Sequence, residues 1–78
     1  MRSPKAVLAS ILEISEDSIN DASSPENVAA WDSFNGLMLI SALEKEYGVK
    51  FNIEEVVEIK DFRDIKEALK KHGVSMVE

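Results

Sequence analysis

The feature that most constrains the fold is the stretch 33–47, in which large apolar residues recur at the spacing of one helix face. The residues that share this face are Leu37, Ile40, Leu43 and Tyr47. Gly48 follows directly and is typical of the left-handed residue that ends a helix. The pattern therefore predicts a helix over residues 33–47 that packs through this face onto other helices.

Two further helices are predicted on either side of this stretch. Ser3 and Pro4 suit the cap and the first residue of a helix over residues 4–14. Asp61 can cap another helix over about residues 62–72, because a short polar side chain accepts the N–H groups left free in a first turn. Gly73 would end that helix.

A short helix is predicted between the second and the last of these helices. Asn52 and Glu55 have the spacing of a capping box, which predicts a helix at Ile53–Glu58. The fold class is therefore all-α: a small bundle of three main helices plus one short helix between helices two and four. The side chains predicted to form its core are Leu8, Ile11, Leu37, Ile40, Leu43, Phe62, Ile65 and Leu69.

The connection over residues 15–30 is long, polar and aperiodic. A loop of that length in a small domain is uncommon unless it is functional or pinned to the core. Ile19, Val28 and Trp31 are the apolar residues that we expect to pin it.

The chain length and composition indicate one small soluble domain. Its 78 residues suffice for a single domain with a modest core, here taken as 1–78 with a loose tail from about residue 74. There is no cysteine, so neither a disulfide framework nor a cysteine-based metal site can form. No apolar run approaches membrane length. We expect a cytoplasmic monomer without membrane insertion, and we assign no metal site.

Charge is distributed unevenly along the chain. The formal net charge is −6, and residues 13–58 alone contain eleven acidic and two basic residues. Nucleic-acid binding needs a basic face, so this distribution argues against it. A negative middle region favours partners with basic surfaces, because opposite charges steer association.

Ser33 lies where the loop becomes the second helix, as its cap or its first residue. Free backbone N–H groups and the helix dipole favour a negative group there, so a phosphate ester on Ser33 would be stabilised. The more ordinary role of an Asp-Ser pair at this position is capping. However, Asn35 and Gly36 are poor choices for a first turn that serves stability alone.

Phe34 and Met38 lie one helical turn apart and about 150° from the predicted core face, at about 100° per residue. Two large apolar side chains beside an exposed serine suggest a surface for a partner protein. The short third helix would present Glu54, Glu55 and Glu58 on its exposed side, where they could steer a basic partner.

From about residue 7 to residue 69 the chain resembles the acyl carrier proteins. The resemblance rests on Trp31-Asp32-Ser33-Phe34, followed by an amphipathic helix that ends in Glu46-Tyr47-Gly48. It implies that Ser33 carries a covalent 4′-phosphopantetheine arm, with an acyl or aminoacyl group on the thiol of the arm. It further implies that Asp32 assists attachment and that the short third helix helps to line an acyl pocket.

The resemblance also implies which proteins the chain meets. They are a phosphopantetheinyl transferase, a loading enzyme for acyl or aminoacyl groups and downstream acyl-processing enzymes. The fatty-acid carriers are strongly acidic on the partner face of helix two, where this chain has Asn35, Met38 and Lys45. It is therefore more similar to a specialised carrier of a lipid, polyketide, peptide-synthetase-like or D-alanyl system than to the main fatty-acid carrier.

Two other functions compete with that of a non-catalytic carrier. Ser33, Asp32 and His72 supply the residue types of a hydrolase triad, but the Gly-x-Ser-x-Gly elbow is absent. A helical interaction module without a prosthetic group would use Phe34 and Met38 for binding and leave Ser33 unmodified.

Overall fold

The computed structural model describes residues 1–74, and in that range it contains four α-helices and no strand. The helices are α1 (Pro4–Leu12), α2 (Ser33–Tyr47), α3 (Ile53–Glu58) and α4 (Phe62–Lys71), with a single 3-10 turn at Glu16–Ser18. The all-α prediction is confirmed, as are the predicted bounds of α2 and α3.

Side-chain caps explain where the helices begin. The Ser3 hydroxyl accepts the Ala6 N–H, and the Asp61 carboxylate accepts the Asp64 N–H. Asn52 forms the predicted capping box at the start of α3. Each cap satisfies an N–H group that has no partner within its own helix.

The first helix ends two residues before the predicted boundary. Glu13 adopts a left-handed backbone with a φ of 56°, and the N–H groups of Glu13 and Ile14 both donate to the Ala9 carbonyl. The helical spacing of Ile14 led to the longer prediction. Ile14 still packs against the core, but it does so from outside the helix.

The core face of α2 differs from the predicted one. Leu37 is 68% exposed, whereas Leu39 and Leu43 are 1% and 0% exposed. The prediction of Leu37 as a core residue is therefore wrong, and Leu39 was missed. The buried side follows the spacing 36, 39, 40, 43 and 47, and it begins at Gly36, which has no side chain to reveal it.

One apolar cluster joins α1, α2, α4 and the long loop. Its buried members are Val7, Leu8, Leu12, Ile19, Trp31, Leu39, Leu43, Phe51, Phe62, Ile65, Ala68 and Leu69. Of the other predicted core residues, Ile11 and Ile40 are partly buried and pack against this cluster.

The loop over residues 15–30 is pinned to the core, as predicted. Ile19 and Trp31 are buried, and Val28 packs against the cluster. The carbonyls of Ser23 and Asp21 accept the N–H groups of Phe62 and Arg63, which are free at the start of α4. The loop therefore caps α4 while it leads the chain towards Ser33.

The end of the described chain is held to α4. The Val74 N–H donates to the Leu69 carbonyl, and Val74 packs against the core, so the predicted loose tail does not begin at Val74. The remainder of that predicted tail, residues 75–78, lies outside the described residues. The assignment of 1–78 to a single domain stays a prediction. None of the helices within residues 1–74 is both long enough and apolar enough to cross a membrane.

Leu43 and Leu37 provide a matched test of the orientation of α2. Leu43→Ala should lower the free energy of unfolding by about 2–5 kcal/mol, since it leaves a cavity at a fully buried position. Leu37→Ala in the same helix should change it by less than about 0.5 kcal/mol, as expected for a surface substitution. Urea unfolding of both variants measures this. Equal losses of unfolding free energy in the two variants would show that α2 is rotated about its axis relative to its orientation in the structure.

Candidate functional site

Ser33 is the first residue of α2 and is exposed to solvent. No described residue forms a hydrogen bond with its hydroxyl group. Asp32 is the cap of the helix, and its carboxylate oxygen Oδ1 accepts the Asn35 N–H at 2.8 Å. Since Asp32 does the capping, the Ser33 hydroxyl remains available for chemistry.

Asn35 connects the first turn of α2 to the loop before it. Its side-chain Nδ2 donates to the Ala30 carbonyl at 2.8 Å, and the same carbonyl accepts the Asp32 N–H at 3.0 Å. These bonds close residues 30–35 into a compact turn around the Asp-Ser pair. Asn35 is a poor helix former, but its side chain fixes the conformation of the loop that leads to Ser33.

A cavity of about 190 Å³ opens beside Ser33, between α2 and α3. No charged residue lines this cavity, and most of its lining residues are apolar. They are Trp31, Ser33, Gly36, Leu37, Leu39, Ile40, Val56, Ile59 and Ile65. Val56 belongs to α3 and Ile59 follows it directly, as expected if the short helix forms one wall of a pocket. The cavity suits an apolar group linked to Ser33.

The outer face of α2 carries three exposed apolar side chains. Phe34 is 71% exposed and Met38 is 45% exposed, which agrees with the orientation predicted for them. Leu37 lies between them in the sequence and adds to this surface. The sequence pattern predicted Leu37 as a core residue because its spacing from Ile40 and Leu43 also fits a buried helix face. We call Phe34, Leu37 and Met38 the α2 apolar face.

The acidic residues of α3 are not equivalent. Glu54 and Glu58 are exposed, as predicted. The prediction that Glu55 is also exposed is wrong, because its side chain is only 20% exposed. One carboxylate oxygen accepts the Asn52 N–H, and the other lies 2.9 Å from His72 Nε2.

His72 joins the end of α4 to α3. Besides its bond to Glu55, its ring makes an edge-to-face contact with the Phe51 ring, with centroids 5.2 Å apart. Asp32 is hydrogen-bonded to Asn35 instead. No bond links His72 to Ser33 or Asp32 within residues 1–74, so the structure does not assemble the hydrolase triad.

The hydrogen bond from the Asn52 N–H, together with the contact to His72, holds the pKa of Glu55 below its usual value. A carboxylate whose pKa is lowered by folding stabilises the folded state above its unfolded pKa, and this contribution is lost as pH falls through the folded pKa. Near neutral pH, ionised Glu55 should therefore stabilise the packing of α3 against the end of α4.

Glu55→Gln tests this contribution, because the amide can still accept the Asn52 N–H but carries no charge. We expect the variant to be less stable than the wild type near neutral pH. The difference should shrink as the pH falls below 4.5, the ordinary value for this group. Thermal unfolding of both proteins between pH 7 and pH 3 provides the measurement, with the pH values chosen about the Glu titration range. A difference that stays constant across this range would contradict the assignment.

Comparison with protein families agrees with the geometry of the site. Residues 5–69 match the family model described as a phosphopantetheine attachment site. None of the curated proteins compared with the chain matches it. The match covers most of the 78 residues and includes all of α2 and α3 and the greater part of α1 and α4. The chain therefore belongs to the phosphopantetheine-binding family, whose domains carry a covalent 4′-phosphopantetheine group, and the resemblance to acyl carrier proteins is confirmed.

Proposed function

We propose that this protein is a non-catalytic cytoplasmic carrier that holds an acyl or aminoacyl group on a 4′-phosphopantetheine arm attached to Ser33. The observation that carries the proposal is the exposed Ser33 hydroxyl at the start of α2, in a chain that belongs to the phosphopantetheine-binding family. When attached, the arm supplies the thiol that forms a thioester with the cargo. Partner enzymes of a lipid, polyketide or related pathway would receive that cargo.

The attachment step follows from the chemistry of coenzyme A. The Ser33 oxygen attacks the phosphorus on the pantetheine side of the pyrophosphate and forms a new P–O bond. The P–O bond to adenosine bisphosphate breaks, the bisphosphate leaves with the electron pair, and the Ser33 hydroxyl loses its proton. The remaining phosphodiester is negative, and the N-terminus of α2 stabilises that charge.

Asp32 is the residue that we propose assists this step. Only one of its carboxylate oxygens, Oδ1, is used for capping. No described residue bonds to the other oxygen, which leaves it available to a metal ion held by the transferase. Asp32 would thus contribute to the orientation of coenzyme A at Ser33.

Loading by a phosphopantetheinyl transferase tests the proposal directly. The wild-type protein should gain the mass of one arm when incubated with the transferase, magnesium and coenzyme A. Ser33→Ala should gain nothing and keep its stability within about 0.5 kcal/mol, since Ser33 is exposed and does not cap the helix. Intact-protein mass spectrometry and urea unfolding provide the two measurements.

Ser41 offers the matched control, because it is another exposed serine in α2. Ser41→Ala should load as the wild type does. Loading of Ser33→Ala would show that another residue is modified. Failure of the wild type to load with several transferases would favour the alternative of an interaction module without a prosthetic group.

Partner enzymes should recognise the α2 apolar face together with nearby acids. Burying a large apolar side chain contributes about 1.5–3 kcal/mol, and Phe34 and Met38 are both available for such burial. Glu54, Glu58 and Asp32 are exposed and can steer a basic partner. Glu55 is bonded to Asn52 and His72, so its proposed role in binding is to hold α3 in position.

Substitutions on this face should weaken binding of the enzyme that loads or processes the cargo. Phe34→Ala removes an apolar contact, and Met38→Glu places a charge where an apolar side chain would be buried. Apolar contacts are not screened by salt, so affinity should fall only modestly as ionic strength rises. The dissociation constant of the wild type and both variants at low and high salt measures this.

Ser10→Glu is the control for Met38→Glu, because it adds the same charge at an exposed position on α1. It should leave affinity nearly unchanged. If Phe34→Ala and Met38→Glu also bind as tightly as the wild type and binding is steeply salt-dependent, charge and not the α2 apolar face determines recognition.

The composition of α2 supports a specialised pathway. Asn35, Met38 and Lys45 stand where a fatty-acid carrier is expected to be acidic. A partner adapted to this chain would therefore present an apolar surface to α2, with its basic residues placed towards α3. The cargo recovered from the native cell would identify the pathway.

A further inference from the structure

A groove of about 660 Å³ lies between the end of α1 and the loop that leads to Ser33. Residues 12–14 line it from the end of α1 and residues 28–30 line it from the loop, and we call it the loop groove. It shares no lining residue with the cavity between α2 and α3, so it is a separate feature of the molecule. Its volume lies within the range of small-molecule sites, which is about 300–1,000 Å³.

The left-handed backbone of Glu13 helps to form the loop groove. With a φ of 56°, Glu13 ends α1 at Leu12, and Ile14 then lines the groove instead of continuing the helix. A residue other than glycine rarely adopts this conformation, because its Cβ atom crowds the backbone. Such residues are found preferentially at functional positions.

The lining combines apolar side chains with uncharged hydrogen-bonding groups. Leu12, Ile14 and Val28 supply apolar surface. Asn20 and Asn27 supply amide groups, and Glu13 is the one charged residue among the described residues of the lining. This composition suits a neutral ligand that carries both amides and branched alkyl groups.

Several polar groups of the loop are available to such a ligand. No residue within 1–74 bonds to the N–H or the carbonyl of Ala29, and the Asn20 side chain uses only its oxygen, for the Ala22 N–H. Ala29 and Asn20 are exposed, so water can satisfy these groups in the unmodified chain. A ligand amide would replace that water with hydrogen bonds of similar strength, and burial of the alkyl groups would supply the affinity.

The groove lies within reach of a group attached to Ser33. Ala30 and Ser33 are three residues apart, so their Cα atoms are separated by at most about 11 Å. The Ala30 carbonyl is bonded to Asn35 and Asp32, which fixes this part of the loop next to the start of α2. A phosphopantetheine arm has about thirteen bonds between phosphorus and sulfur, so it spans about 15 Å when extended, by comparison with three backbone bonds per residue.

We propose that the loop groove binds the pantetheine part of the arm on Ser33. The geminal methyl groups of the arm contact the apolar residues of the groove, and its amides pair with Asn20 and the Ala29 backbone. Attachment raises the effective concentration of the arm to the millimolar range, roughly, so a groove of weak affinity is sufficient to hold it. This inference rests on the proposed carrier function and goes beyond it, because it assigns a binding site to the arm itself, whatever the cargo.

Nuclear Overhauser effects between the arm and the protein test this directly. Protein labelled with ¹³C and ¹⁵N receives an unlabelled arm from coenzyme A through a phosphopantetheinyl transferase. Isotope-filtered spectra should connect the geminal methyl protons of the arm with the methyl groups of Leu12, Ile14 and Val28. The Ala29 backbone amide and the Asn20 side-chain amide should also shift between the unmodified and the arm-bearing protein.

Two results with the wild type would overturn the assignment. The first is an arm that gives no Overhauser effect to the loop groove, with shift changes confined to residues 32–37. The second is an arm whose methyl protons contact only Leu37 and Val56, which line the other cavity.

Ala29→Phe tests whether the groove itself is responsible. It places a large side chain in the groove at an exposed position, so the Overhauser effects should disappear and the shift of the Asn20 side chain should fall several-fold. Ala22→Phe is the matched control, since it makes the same change at an exposed position of the same loop outside the groove. It should behave as the wild type does. Overhauser effects retained in Ala29→Phe would contradict the proposal, and if that variant does not fold, the wild-type spectra decide.

The outcomes for the carrier function and for this inference are distinct. If the wild type gains no mass with transferase and coenzyme A, the carrier function fails. If it gains the arm but the arm does not contact the loop groove, the carrier function stands and only the binding site of the arm is wrong.

Discussion

The burial of Leu39 and Leu43 is the constraint on which the arrangement of the site depends. Both side chains are almost fully removed from solvent, and each contributes about 1.5–3 kcal/mol relative to exposure. A helix is rigid over this length, so fixing one face fixes all the others. Phe34, Leu37 and Met38 must then face solvent, and Ser33 must stand at the exposed beginning of the helix.

The short helix α3 depends on contacts that lie outside it. None of its six residues is fully buried. The Phe51 N–H donates to the Glu44 carboxylate at 2.8 Å, which ties the start of α3 to α2. Glu55 and His72 tie its other side to α4. These two polar contacts, with Val56 and Ile59 packed on the core, hold the wall of the cavity in place.

The helices could be predicted from the sequence because each begins with a local capping signal. Ser3, Asn52 and Asp61 cap their helices as expected, and such caps require only neighbouring residues. The rotation of α2 was not predictable from the same pattern. Gly36 occupies the buried stripe without a side chain, so the stripe that begins at Leu37 fitted the spacing equally well.

Contacts between residues far apart in the chain could not be predicted from the sequence. Glu55 and His72 are seventeen positions apart, and their pairing depends on how α3 and α4 meet. The capping box predicted one bond of Glu55 but could not predict the other. The cavity likewise depends on side chains from four segments, so a pocket could be inferred only through the resemblance to carrier proteins.

Leu37 belongs to both surfaces that surround Ser33. Its side chain lines the cavity and is also largely exposed on the α2 apolar face. A substitution at Leu37 would therefore alter both the volume of the cavity and the exposed area of the α2 apolar face. Trp31 and Phe34 do not share this ambiguity, since Trp31 is buried at the cavity and Phe34 faces outward. Substitutions at Trp31 would therefore alter the cavity without the α2 apolar face, and substitutions at Phe34 would alter the α2 apolar face without the cavity.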